Sequence, residues 1–173
     1  MTAPTVDINA STEVTIDTDT LTITSSNQND PLFTLKTTHN SSSGARLDFV
    51  KDKGAQGHDL DILGQIRWFG DDAGENQTQY ARIFGRVQSS TGSAEGGGLF
   101  LQVASHDAGM ANGLQIKDGD ADNELDVTIA SGASSVTSVT GFLQVESTTN
   151  ATSTTDGSLQ TDGGLSVKKS AVI

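Results

Sequence analysis

Apolar and polar residues alternate with a period of two along almost the whole chain, and a helical period is nearly absent. Alternation of that kind predicts half-buried β-strands. Val14 and Ile16 alternate with Thr and Asp, and Leu21 and Ile23 alternate with Thr. These two mini-strands read as one short repeat and its echo. A turn or hinge is expected at 25–30, ahead of Pro31. Residues 31 to about 129 then carry the most core-like material. Phe33 and Leu35 share one strand face, and Ala45, Leu47 and Phe49 share another. Next, Ile66 and Trp68 fall on one side of a strand, with Gln65, Arg67 and Phe69 on the other. In the following run Tyr80, Arg82, Phe84 and Arg86 oppose Ala81, Ile83 and Val87. Leu99, Leu101 and Val103 share a face, and Leu114/Ile116 and Leu125/Val127/Ile129 complete the series. Each run is bounded by Gly, Asp, Asn or Ser. The spacing predicts an antiparallel meander, or a sandwich, of about seven strands.

The pattern weakens afterwards. Residues 131–140 and 147–157 are rich in Ser, Thr, Gly and Asn, with Phe142-Leu-Gln-Val145 as a short strand between them. From Asp156 a short beat begins. Asp-Gly turns precede Leu159, then Leu165 and Val167, and the beat restarts at Ala171-Val-Ile173. Units this short bury no face by themselves and become stable when stacked or wrapped with other copies. Three regions follow: an N-terminal segment of short β-repeats at 1–30, a β-meander domain at 31–130, and a connector with the start of shaft-like repeats at 131–173.

Composition sharpens this all-β picture. Gly, Ser and Thr make up 60 of the 173 residues, aromatics 5%, and hydrophobic residues 34%. With its 19 Gly counted, the chain comes close to the about 45–50% apolar share of ordinary globular chains, but Gly has no side chain to bury. A chain this poor in apolar material is expected to acquire its core by association, and its spaced apolar runs argue against general disorder. The formal charge is −12, and 17 of the 22 acids are Asp, a turn residue. Such acidity argues against DNA and anionic membranes as partners. No stretch approaches the roughly 20 apolar residues of a membrane span, and the first residues have neither the basic region nor the apolar core of a secretory signal. There is no Cys, so disulfides and thiolate metal sites are ruled out.

Candidate chemistry is sparse. Asp118, Asp120, Asp122 and Glu124 alternate like the opening of an EF-hand loop, but Asn123 stands where the sharp-turn Gly belongs and Ile129 where the last carboxylate belongs. A polar turn between strands is the expectation. Asp71-Asp72-Ala-Gly-Glu75 reads as a hairpin tip. His39, His58 and His106 sit in separate polar loops without metal-ligand spacing. His58 beside Asp59 and Asp61 has no nucleophile near it in sequence. Gly96-Gly-Gly98 leads into a strand, which rules out a phosphate loop and suggests a flexible hairpin connection. Arg67, Arg82 and Arg86 alternate along strands beside Trp68, Tyr80 and Phe84. They are expected to pair with Asp and Glu and to lay their stems on the rings, and this surface is the expected part of a subunit interface. The Asn-x-Ser/Thr triplets at Asn9, Asn40, Asn76 and Asn150 are read as coincidence in an Asn/Ser/Thr-rich chain. No catalytic, cofactor or metal residue is assigned.

One resemblance is specific. Asp61-Ile-Leu-Gly-Gln-Ile-Arg-Trp-Phe-Gly-Asp-Asp-Ala-Gly-Glu75, continuing through Tyr80-Ala-Arg-Ile83 to Gly98-Leu-Phe-Leu101, resembles a domain of tailed-bacteriophage fibre proteins. There a Leu-Gly-x-Ile-x-Phe-x-Gly-x-Asp hairpin leads into Tyr-Ala-x-Ile and Gly-x-Leu strands, and Trp68 stands here in place of the Phe. The stretch 154–173 is similar to the unit that joins such domains to a fibre shaft. The resemblance implies a non-enzymatic virion component, intertwined as a homotrimer. It would dock to a tail or capsid protein and lead toward distal regions that meet the host surface. It would be made in the host cytoplasm and released by lysis. In that family the final repeat continues, so the chain is expected to be the N-terminal part of a longer polypeptide. A head fibre or decoration protein, and a carbohydrate-binding β-sandwich module, are the alternative expectations.

Overall fold

A computed structural model describes residues 8, 13–153, 156–164 and 166–167. Contacts divide the chain into two units, 1–48 and 49–173. The described part of the first unit is irregular and holds no strand. Its hydroxyls instead bond the backbone two residues on: Asn27 N donates to Ser25 Oγ at 3.1 Å and His39 N to Thr37 Oγ1 at 3.3 Å. Such local bonds compete with a sheet ladder.

The second unit holds one five-stranded antiparallel sheet in simple meander order: β1 (Ile62–Asp71), β2 (Gln77–Thr91), β3 (Ala94–Ala104), β4 (Met110–Asp118) and β5 (Leu125–Ile129). Among the described residues there is no helix, hence none long and apolar enough to cross a membrane. The all-β expectation and the antiparallel meander are what the sheet displays. No second sheet packs on it among the described residues, so the sandwich form is not seen.

The sheet also has fewer strands than the alternation suggests. The runs at Phe33–Leu35, Ala45–Phe49 and Phe142–Val145, like the mini-strands at Val14–Ile16 and Leu21–Ile23, carry no ladder. Alternation gives a segment a face, but a strand also needs a hydrogen-bonded neighbour. The five runs that do pair follow one another through turns short enough to bring each beside the last. Leu165 and 168–173, where the terminal beat restarts, lie outside the described residues.

Asp builds the turns. Between β1 and β2, Asp72 Oδ1 accepts from the backbone N–H of Gly74 (2.8 Å) and Asn76 (2.9 Å). Between β3 and β4, Asp107 Oδ1 accepts from Ser105 Oγ (2.7 Å) and Gly109 N (3.1 Å). β2 turns into β3 through Gly92-Ser93, with Ser93 at φ 69°. The hairpin tip read at Asp71–Glu75 is therefore correct. The glycine run is different. Gly96, Gly97 and Gly98 are not a hairpin connection; they lie inside β3, paired with Ser89, Val87 and Arg86. Their smallness serves close approach: a Cβ on Gly98 would sit 2.8 Å from the Phe100 ring, and one on Gly96 would collide with the Asp118 carboxylate.

Candidate functional site

Register assigns every strand residue to a face, because directly opposed residues in an antiparallel pair project the same way. On one face the rows read Ile66–Ile83–Leu101–Leu114–Ile129, Trp68–Ala81–Val103–Ala111 and Gly64–Gly85–Leu99–Ile116–Val127. No residue in these three rows is charged. On the other face the rows read Gln65–Phe84–Phe100–Gln115–Thr128, Arg67–Arg82–Gln102–Asn112 and Ile62–Arg86–Gly98–Lys117–Asp126. The predicted split of β1 and β2 into an Ile66/Trp68/Ala81/Ile83 side and an Arg67/Arg82/Phe84/Arg86 side is the observed one.

The arginine-bearing face closes on itself. Phe84 and Phe100 stack with centroids 4.8 Å apart. Above them lie guanidinium groups, Arg82 at 4.4 Å from the Phe84 ring centre and Arg86 at 4.4 Å from that of Phe100. Arg67 covers Phe69 in the same way at 5.2 Å. Arg82 Nε donates to Gln102 Oε1 (2.6 Å), and Gln102 Nε2 donates to Asn112 Oδ1 (2.6 Å). This ladder runs across three strands. As a result Phe84 and Phe100 are the only buried apolar side chains among the described residues, at 4% and 2% exposure.

Of the rings expected under the arginines, Phe84 is covered, while Trp68 and Tyr80 are not; Phe69 and Phe100 take their place. The expected Asp and Glu partners are not seen: among the described residues the ion pairs are those of Asp61 with Lys51 (2.8 Å) and Lys53 (2.9 Å). A neutral amide serves the Arg82 guanidinium because Gln102 is its direct cross-strand neighbour. Gln102 and Asn112 were missed by the sequence reasoning. The visible signal was a polar residue between Leu101 and Val103, on the same side as Arg82.

The apolar face has no comparable cover. Trp68 is 47% exposed and Val103 56%, while Ile66, Leu99, Val127 and Ile129 are also exposed. A shallow hollow of about 410 Å³ is lined by Trp68, Ala81, Arg82, Ile83, Leu101, Gln102 and Val103. At the β1 end Phe49 lies over Gly64, which has no side chain to obstruct the ring.

The remaining candidates resolve into turn chemistry. In the loop after Asp118, Glu124 Oε2 accepts from Asp120 N at 2.8 Å, and Gly119 N donates to Glu124 O at 3.2 Å. The Glu that alternation offered as a cation ligand is a backbone clamp. Among the described residues no three His, Asp or Glu side chains converge as a metal-holding group. His58 does not address a nucleophile. Its N–H donates to Asp61 Oδ2 (3.0 Å), and its Nδ1 stands 2.8 Å from Lys53 Nζ. The hydrogen bond from Lys51, then those from the His58 backbone and Lys53, hold the Asp61 carboxyl well below its usual range. Asp59 is lowered by Ser90, whose Oγ and N donate to it at 2.8 and 2.7 Å. Together with Leu60 N to Val87 O and Val87 N to Asp61 O, both 2.9 Å, these bonds tie 58–61 to β2. His39 lies just ahead of the bend at 40–42, and His106 lies in the β3–β4 turn. Compared with protein-family models, with curated proteins and with solved structures, the chain matches none.

Proposed function

We propose that this protein is a structural component of a tailed-bacteriophage particle, a fibre segment that works as a homotrimer. It attaches at one end to a tail or capsid protein and extends a shaft toward the host surface. Its role is mechanical and non-enzymatic. One observation carries the proposal: a regular five-stranded sheet with just two buried apolar side chains among the described residues and one wide apolar face in solvent. A sheet needs a layer packed on it to be stable. In an acidic, Cys-free chain with 34% hydrophobic residues, other copies of the chain are the economical source of that layer. The order of the Leu63-Gly-Gln-Ile66, Tyr80-Ala-Arg-Ile83 and Gly98-Leu-Phe-Leu101 strands adds the resemblance to phage fibres.

Light scattering on purified protein tests the assembly. Three times the 17.9 kDa chain mass at micromolar concentration is expected. Electron microscopy of phage particles labelled with antibody to the chain tests the placement, with label expected on fibres. A folded monomer with saccharide affinity and no virion label would replace the proposal with a binding module.

A further inference from the structure

We infer that copies of this chain pack on one another through the apolar sheet face centred on Ile83, Leu101 and Leu114, and that the arginine-covered face points to solvent. The inference rests on the fibre proposal and adds to it which of two surfaces is the subunit interface. The sequence had favoured the arginine–aromatic side for that role.

Three observations lead here. The first is satisfaction. On the arginine side the rings are already covered by guanidinium groups of the same chain, and the Arg82–Gln102–Asn112 ladder uses its polar groups internally. On the apolar side Trp68 and Val103 remain half exposed. The chain after β5 adds little cover: Val136 shares a hollow with Val103 but is itself 83% exposed, and Phe142 is 102% exposed.

The second observation is charge. Each copy carries −12, so copies repel wherever their acids face each other. The three neighbouring apolar rows hold no charged residue, whereas the opposite face carries Arg67, Arg82, Arg86, Lys117 and Asp126. Identical acidic chains can therefore meet closely on the apolar rows without opposing like charges.

The third is size. Five strands about 4.8 Å apart and about ten residues long span a face of roughly 700 Å². A stable interface takes about 800 Å² from each partner. A face of this size suits other copies of the chain converging on a common axis and is far larger than a small ligand needs.

Val103→Glu places a carboxylate on an exposed apolar position, and Gln115→Glu places one on a half-buried polar position of the other face, opposite Phe100. Light scattering should show a wild-type oligomer, a Val103→Glu protein reduced to single chains, and a Gln115→Glu protein that stays assembled. Since any charge can also damage folding, cysteine scanning supplies a second measurement on a chain that has no Cys of its own. With a short bis-maleimide, Val103→Cys should cross-link chain to chain and Gln115→Cys should not. Two results overturn the face assignment and leave the fibre proposal standing: an assembled wild type whose mass survives Val103→Glu, or cross-linking of the Gln115→Cys variant without that of Val103→Cys. A wild type that is a folded monomer overturns both.

Discussion

The two faces of one sheet reach opposite solutions to the same shortage of apolar material. One stacks Phe84 on Phe100 and roofs them with Arg82 and Arg86. The other lines up Ile66, Ile83, Leu101, Leu114 and Ile129, leaving the outer two exposed and the middle three only half-buried. The difference lies in side-chain length. Arg82 folds back over Phe84 two residues along its own strand and Arg86 reaches across to Phe100 on β3, so long stems let the sheet supply its own lid. Ile, Leu and Val are too short to do so, and their face is completed only by another layer. A single sheet can thus be finished on one side by its own sequence and depend on a neighbour on the other.

Phe100→Ala should produce the largest effect. It removes a side chain at 2% exposure together with its stacking partner's support and the seat of Arg86, and should cost about 3–5 kcal/mol. Chemical denaturation of the assembled protein measures it. A cost near zero would mean that the self-covered face is not the stable half.

Trp68→Ala sharpens the contrast, because its cost should depend on assembly. In the assembled protein the loss should approach the about 3–5 kcal/mol of a buried aromatic. In single chains, where Trp68 is 47% exposed, it should be roughly half as large. Trp68 is also the only Trp, so its fluorescence should shift to longer wavelength when Val103→Glu separates the copies. Emission that stays the same would place Trp68 outside the interface.

Arg82→Ala should cost about 1–2 kcal/mol, through loss of the bond to Gln102 and of the cover on Phe84. Arg82→Lys should restore little, since an ammonium cannot lie flat on the ring while holding the Gln102 oxygen. Full rescue by Lys would reduce the roof to simple charge.

Acid should destabilise the fold modestly. Asp59, Asp61, Asp72, Asp107 and Asp156 all have folded pKa values below the ordinary 3.8, and the hydroxyl and backbone bonds from Thr152 and Ser153 bring Asp156 to about 2. A lowered carboxyl stabilises the fold above its unfolded pKa, and that contribution disappears as pH falls through the folded one. The melting temperature should hold steady at neutral pH and decline from just above 3.8 toward 2. Asp61→Asn should remove part of the decline. A melting temperature that rises on acidification would show that relief of the −12 charge outweighs the turns.

The smallest expected effect is none: a chelator should leave the melting temperature unchanged. A drop restored by calcium and abolished by Asp120→Ala would mean that the Asp118–Glu124 loop is a cation site after all.

The alternation of β1 and β2 was enough to place Arg67, Arg82, Phe84 and Arg86 opposite Ile66, Trp68, Ala81 and Ile83, because a period of two fixes face membership before any pairing exists. The Asp-rich turns were legible for a similar reason, since Asp72 and Asp107 bond backbone N–H groups only two to four residues on. What escaped the sequence depends on distant neighbours. Leu35, Leu47 and Phe142 alternate as well as Leu101 does, yet their runs have no adjoining strand. The role of Gly96-Gly-Gly98 is set by Asp118 and the Phe100 ring, which no local rule brings near.

The amino-acid sequence by itself determined the β character, the Asp-built turns and the two unlike faces, all of them consequences of side-chain period and short-range hydrogen bonding. Tertiary structure decided the rest. It selected the five runs that pair, and it set the register that joins Arg82 to Gln102 and Asn112. At Leu101/Gln102 it opened a bulge opposite Gly113, so that Leu114 and Ala111 both stay on the apolar side. Those outcomes needed strands from distant positions to meet, and only the folded sheet brings them together.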